Sequence, residues 1–318
     1  MKNIILYAYY KGDYYSELSL EFFLKYGVKD DPVYDYYFIN NGELTSQKLP
    51  PYFKVINRPN IGYDFGGWSE VIFSIDINKY DYFIFLNNST IGPCLPRYLK
   101  HIFWPELYYK HINDKIKIVG STINFDIEEH IQSYIFCVDK VGLSILIDNK
   151  IFSKNLDKPK DNIIYEHEIK MLTCIRNAGY DGYSFETMRN YDNKYKFRNG
   201  NLTDQRYYTE VCNHDISPFE LIFVKHRLNT KNNALIFYLK SMGIELLSNK
   251  INVKNKKQEI KPEIKPEIKP EIKPEIKEEN INIPIVNDCK NTITKSKIIS
   301  VKNIIDDNRR IKIFNAFK

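Results

Sequence analysis

The chain has 318 residues, 43% hydrophobic and 14% aromatic, enough for a sizeable core in one large domain or two small ones. It carries 46 basic and 40 acidic residues, net +6; residues 251–318 hold 16 and 10 of these, leaving 30 of each in the first 250. The basic excess therefore belongs to the tail, and the pI near 8.7 gives no reason to expect a nucleic-acid partner for the folded part. Five scattered cysteines without a CxxC pair suit reduced thiols better than disulfides or a zinc site. No run approaches the ~18 apolar residues of a membrane span. The first apolar run breaks at Lys11, too early for a signal peptide, so a cytoplasmic location is expected.

In chain order, residues 3–10 read as a buried strand. Residues 16–26 read as a helix with Leu18, Phe22, Phe23 and Tyr26 on one face. Strands follow at 33–39 and 53–56, then an amphipathic run at 68–77 and strands at 82–86 and 115–120. Residues 131–138 read as one strand, 142–147 as the start of a helix, and 164–178 as a helix that stops at Gly179. Alternating strands and helices predict an α/β fold with a mostly parallel sheet covered on both faces.

The character changes near residue 250. Lys-Pro-Glu-Ile repeats from Lys261 to Ile276, and a proline in every repeat forbids a helix. The expected organisation is a domain over 1–248, an extended repeat linker over 249–280, and a basic tail over 281–318. The tail is expected to be disordered, with a short helix docking to a partner as the other reading.

The most informative stretch is Asn57-Arg-Pro-Asn-Ile-Gly-Tyr-Asp-Phe-Gly-Gly-Trp68, a Gly-rich turn between a strand and a helix. α/β enzymes hold phosphorylated ligands at such turns. Two more strand ends join it, Asn40-Asn-Gly-Glu43 and Leu86-Asn-Asn-Ser89. Asn60 and Gly62 serve equally well for a plain tight turn. Asp64 lies between Tyr63 and Phe65, where a free carboxylate is costly unless satisfied; ligand binding and helix capping both satisfy it.

Glu168 shares a helical face with Ile164, Met171, Leu172 and Ile175. A carboxylate in an apolar stripe is expected to have a raised pKa, which suits a general base. Glu166 is the alternate, though an acidic residue in a first helical turn also complements the dipole. His130, Gln132 and Ser133 open a segment that turns apolar at Tyr134. Gln132 offers both a donor and an acceptor to hydroxyls, and His130 is either a ligand contact or a structural residue. Lys225, His226 and Arg227 follow the strand-like residues 221–224 and are candidate cations for a phosphate, or an ordinary charged strand end.

The order of these strand ends resembles the nucleotide-binding half of GT-A-fold glycosyltransferases of the inverting family-2 type. It is more similar still to the rhamnan synthesis F family. The likeness rests on Asn60-Ile-Gly-Tyr-Asp64, Leu86-Asn-Asn-Ser89, His130-Ile-Gln-Ser133, Glu168 with Gly179-Tyr180, and Pro218 to Lys225, and it covers about residues 1–230.

The resemblance implies a GT-A-like, Rossmann-like sheet flanked by helices, a nucleotide diphosphate sugar donor and a glycan or glycoconjugate acceptor. Tyr7, Asn40 and Asn60 are then expected on the nucleotide side, Asp64 and Asn87 on the sugar-diphosphate side, and Glu168 as base. Asn87 and Ser89 stand where the family-2 type carries Asp-x-Asp, whose two carboxylates hold Mg²⁺ or Mn²⁺. Two neutral oxygens hold such an ion far less well, so no metal ligand is assigned: metal-independent chemistry is expected, with Mn²⁺ or Mg²⁺ leaning on Asp64 as the other reading. A catalytically inactive carbohydrate- or nucleotide-binding module tethered by the linker is the alternative.

Overall fold

The computed structural model describes residues 1–124, 127–154, 156–185, 217–225 and 233–244, with the backbone of 210–211 and 214–215. In chain order the elements are β1 (Asn3–Tyr9), α1 (Tyr14–Tyr26), β2 (Tyr34–Asn41), β3 (Phe53–Arg58), α2 (Tyr63–Ile72), β4 (Tyr82–Asn87), β5 (Thr90–Ile91) and α3 (Trp104–Tyr109). Then come β6 (Ile116–Gly120), β7 (Ile123–Asn124), β8 (His130–Ile131), β9 (Ile135–Asp139), α4 (Lys140–Asp148) and α5 (Lys160–Ile163). A π-helical turn (Ile164–Glu168) leads into α6 (Lys170–Asn177) and β10 (Asp181–Ser184). β11 (Glu210–Val211), β12 (His214–Asp215), α7 (Pro218–Leu221), β13 (Val224–Lys225) and α8 (Asn233–Ser241) complete the described elements. The repeat, the tail, His226 and Arg227 lie outside the described residues.

Seven strands form one sheet in the order β10-β6-β9-β4-β1-β2-β3. β9 runs antiparallel to both of its neighbours, and the other pairs are parallel. The chain winds outward from β1 to β2 and β3, then returns to lay β4 on the other side of β1. This reversal makes a crevice at the carboxyl ends of β1 and β4, where open α/β sheets bind ligands.

Both faces of the sheet are covered, which is why β1 is apolar almost without interruption. Ile4, Leu6 and Ala8 pack with Phe65, Trp68 and Val71 of α2, Leu143 and Leu146 of α4, and Met171, Leu172 and Ile175 of α6. Ile5, Tyr7 and Tyr9 point the other way, into a cluster with Leu20 and Phe23 of α1 and Trp104 and Tyr108 of α3. α1 begins with a capping box, in which Asp13 accepts from the Ser16 amide at 3.0 Å.

Four sequence expectations change. The helix after β3 starts at Tyr63 and ends at Ile72, because the Gly-rich turn is itself its first turn. Residues 131–138 form two strands, since the chain leaves the ladder at 132–134. Residues 164–178 are not one regular helix: the Ile169 amide reaches back five residues to the Ile164 carbonyl at 3.0 Å, and this π-turn takes up an extra residue. The strand-like residues 221–224 are a helical turn ending at Leu221, followed by the short strand β13.

Candidate active site

The site grows from the end of β3. Arg58 is nearly buried, and its guanidinium holds the turn from three sides. It donates to Glu70 Oε2 at 2.8 Å, to the Ile61 carbonyl at 2.6 Å, and to Asn41 Oδ1. Gly62 and Tyr63 follow with φ of 68° and 53°, two successive left-handed residues. A Cβ on Gly62 would meet the Leu156 carbonyl at 2.6 Å, so the turn requires glycine there. Tyr63 takes the same region with a side chain, a strained conformation of the kind that clusters at functional sites.

That turn delivers Asp64. α2 starts without a side-chain cap, and the Asp64 carboxylate turns instead to Asn87, whose Nδ2 donates to Oδ2 at 2.7 Å. Burial raises the Asp64 pKa to about 6; the Asn87 bond works against the rise, the charge of Glu168 adds to it, and Lys160 and Lys225 pull it down. Four side chains from distant parts of the sequence therefore act on one carboxylate.

The Asn87-x-Ser89 segment is closed on itself. Asn87 Oδ1 accepts from the Ser89 amide at 3.0 Å and from its hydroxyl at 2.6 Å. Next along the chain, Asn88 ties the two crevice strands together. Its Nδ2 donates to the Tyr10 carbonyl at 2.8 Å, and its Oδ1 accepts from the Tyr10 amide at 3.2 Å. β5 then pairs antiparallel with β13, setting Lys225 opposite Thr90. The Lys225 ammonium lies 5.5 Å from the centroid of the Tyr134 ring. The Tyr134 carbonyl accepts from the Asn87 amide at 3.1 Å.

Glu168 comes from the π-turn. Its Oε1 accepts from the Ser133 amide at 3.0 Å, a donor freed by the break between β8 and β9. The turn also alters the face predicted for this residue. Met171, Leu172 and Ile175 are buried, whereas Glu168 keeps partial contact with solvent. Glu166, the alternate, is exposed and paired with Lys158.

Other sequence candidates lie beneath or beside this group. Tyr7 is 2% exposed, with its ring against Phe23 and Phe38; it belongs to the core under α1 rather than to the mouth of the crevice, because odd positions of β1 face that helix. Asn40 is buried and joins the ends of β2 and β3 through Asn57 Oδ1 at 3.2 Å and the Gly42 carbonyl at 3.1 Å. His130 is buried, with Nδ1 2.8 Å from the Glu128 carbonyl. Gln132 is buried and accepts from the Thr122 hydroxyl at 2.8 Å. Asn60 is half-buried in the turn.

Among the described residues, no three His, Cys, Asp or Glu side chains cluster as a metal-ligand set. The position where two carboxylates would hold a divalent ion offers an amide oxygen and a hydroxyl, the amide oxygen already accepting twice from Ser89. Asp64 sets a carboxylate beside them, bonded to Asn87. Lys160, Asn88, Arg58 and the Ser133 amide all contribute to the site and were missed in the sequence. A charged residue in a loop or a lone backbone amide carries no pattern that marks it.

A mostly parallel sheet with one reversed strand, a Gly-rich turn at its carboxyl edge and carboxylates beside the switch point defines a GT-A-like α/β domain. The model of the family described as rhamnan synthesis protein F matches residues 37–241, and the chain belongs to that family. The virulence protein VirA of Vibrio anguillarum is 28% identical over 132 residues, 39% of this chain and 39% of VirA. The chain thus matches well under half the length of this curated relative. Among solved structures, it is similar to the mannosyltransferase PcManGT from Pyrobaculum calidifontis, in complex with GDP-Man and Mn2+. The TM-score is 0.36 and the identity 8%, covering 57% of this chain and 53% of that one. The glycosyltransferase GlyE of Streptococcus pneumoniae TIGR4 gives a TM-score of 0.33 at 14% identity, over 60% and 46%.

Proposed function

We propose that this chain transfers a hexosyl or deoxyhexosyl unit from a nucleotide diphosphate sugar to a hydroxyl of a glycan or glycoconjugate. Family membership supports glycosyl transfer in general. The observation that carries the assignment to this crevice is the Asp64–Asn87 contact at the switch-point edge, with the charges of Glu168 and Lys225 acting on the same carboxylate.

In this reading Asp64 accepts hydrogen bonds from donor-sugar hydroxyls, and Asn87 fixes its orientation. Glu168, held by the Ser133 amide, takes the proton of the acceptor hydroxyl. The freed oxygen attacks the anomeric carbon as the bond to the diphosphate breaks on the opposite face. The product is inverted, and the electron pair leaves with the diphosphate. Lys225 meets that developing charge, a role that oriented cations fill without a metal. With neutral oxygens at Asn87 and Ser89 in place of two carboxylates, the reaction is assigned as metal-independent.

The same Asn87-x-Ser89 segment is what favours the other reading, an inactive module that binds a sugar or nucleotide. Turnover separates the two. Purified protein is incubated with a panel of nucleotide sugars, with and without Mn²⁺, and release of nucleoside diphosphate is measured. The transferase reading expects release without metal and a large loss in Glu168→Gln. Binding without release under either condition leaves only the module.

A further inference from the structure

Lys158 is paired with Glu166, and Lys170 with Glu128. Lys160 lies between these lysines in sequence. It is exposed, and no carboxylate pairs with it among the described residues. It opens α5, which packs against α2, the helix that carries Asp64.

The π-turn decides where Lys160 stands relative to Glu168. In a regular helix residues turn by about 100° each, so positions eight apart differ by roughly 80° and face different ways. A π-turn absorbs one extra residue, so this pair behaves as if seven apart, about 20° from alignment. Glu168 is fixed toward the crevice by the Ser133 amide, so alignment turns Lys160 the same way. The effect of both charges on Asp64 agrees with that placement.

His167 holds the turn in this register. It is 4% exposed, its Nδ1 lies 2.9 Å from the Ile151 carbonyl, and its ring sits 5.8 Å from that of Phe65, the residue after Asp64. The wide turn is thus anchored to the loop after α4 on one side and to α2 on the other.

From this register we infer that Lys160 is a phosphate-binding residue of the crevice, turned by the π-turn to the same side as Glu168, about two helical turns before it, and presenting its ammonium to the diphosphate of a bound ligand. The inference rests on the crevice proposed above being the ligand site. Lys160 and Lys225 reach it from separate elements, so a diphosphate between them meets two cations.

The test uses the full chain and inorganic pyrophosphate as probe, with affinity measured by calorimetry at constant ionic strength. Lys160→Ala should weaken binding about tenfold, the scale of one lost charge-assisted contact. Lys160→Arg should keep most of the affinity, and Lys158→Ala all of it. Equal affinity in Lys160→Ala and wild type overturns the inference, as does an absence of saturable binding in wild type. Weakened pyrophosphate binding in Lys160→Ala, together with a wild type that moves no sugar, keeps the inference and removes the transferase reading.

Discussion

Asn87 Nδ2 and Asp64 Oδ2, 2.7 Å apart, join two strand ends separated by 23 positions in sequence. The bond gives a half-buried carboxylate its one side-chain donor in the described site, and it works against the desolvation that raises the Asp64 pKa to about 6. Asn87→Ala removes that donor. The Asp64 pKa should rise further above 6, which a carboxyl-carbon NMR titration reads directly. A pKa that stays or falls means another donor replaces Asn87.

Asp64→Asn should separate stability from activity. A carboxyl whose pKa is raised in the folded state favours folding fully below its unfolded pKa, and that contribution is lost as pH rises through about 6. At pH 7 to 8 the ionised Asp64 therefore opposes folding. The variant, which retains an oxygen acceptor for Asn87, should be more stable there by about 1 kcal/mol, after discounting for the solvent that reaches the group. At pH 3, below the unfolded pKa, the gain should vanish. Denaturant melts at the two pH values check the sign, and transfer should be lost at both.

Glu168→Gln should reduce kcat by about 10²- to 10⁴-fold, the scale of general-base catalysis, while donor binding stays near wild type. The amide oxygen still accepts from the Ser133 N–H, so the melting temperature should barely move. A loss confined to KM assigns Glu168 to substrate binding instead.

Gly62→Ala should cost roughly 2 kcal/mol or more. The left-handed φ of 68° disfavours the substitution, and the new methyl would sit 2.6 Å from the Leu156 carbonyl. At Gly179, an exposed glycine that also has positive φ, an added methyl would meet nothing within 4 Å, and Gly179→Ala should cost only about 1 kcal/mol. Chemical denaturation of the two variants measures the difference.

Much of the sheet was legible because buried parallel strands are short apolar runs bounded by polar ends. β1, β2, β4 and β6 all announce themselves this way. The turn before Asp64 was legible from its glycines and the charge between two aromatics. What stayed hidden depends on pairing or helical register. Tyr7 looked like a mouth residue until α1 covered its face of β1. Lys225 was named as a candidate cation, but the two-residue strand that pairs it with β5 is too short for any periodic signal. Glu168 looked like part of an apolar stripe because a 3.6-residue period was assumed across the π-turn.

β9 is the reversed strand of the sheet, so it begins at the edge where its parallel neighbours end. Residues 121–124 therefore leave β6 at the crevice, and residues 130–134 lead back into the sheet at the same edge. Both ends of that excursion are buried at the crevice edge, where the Ser133 amide meets Glu168 and the Tyr134 carbonyl meets Asn87.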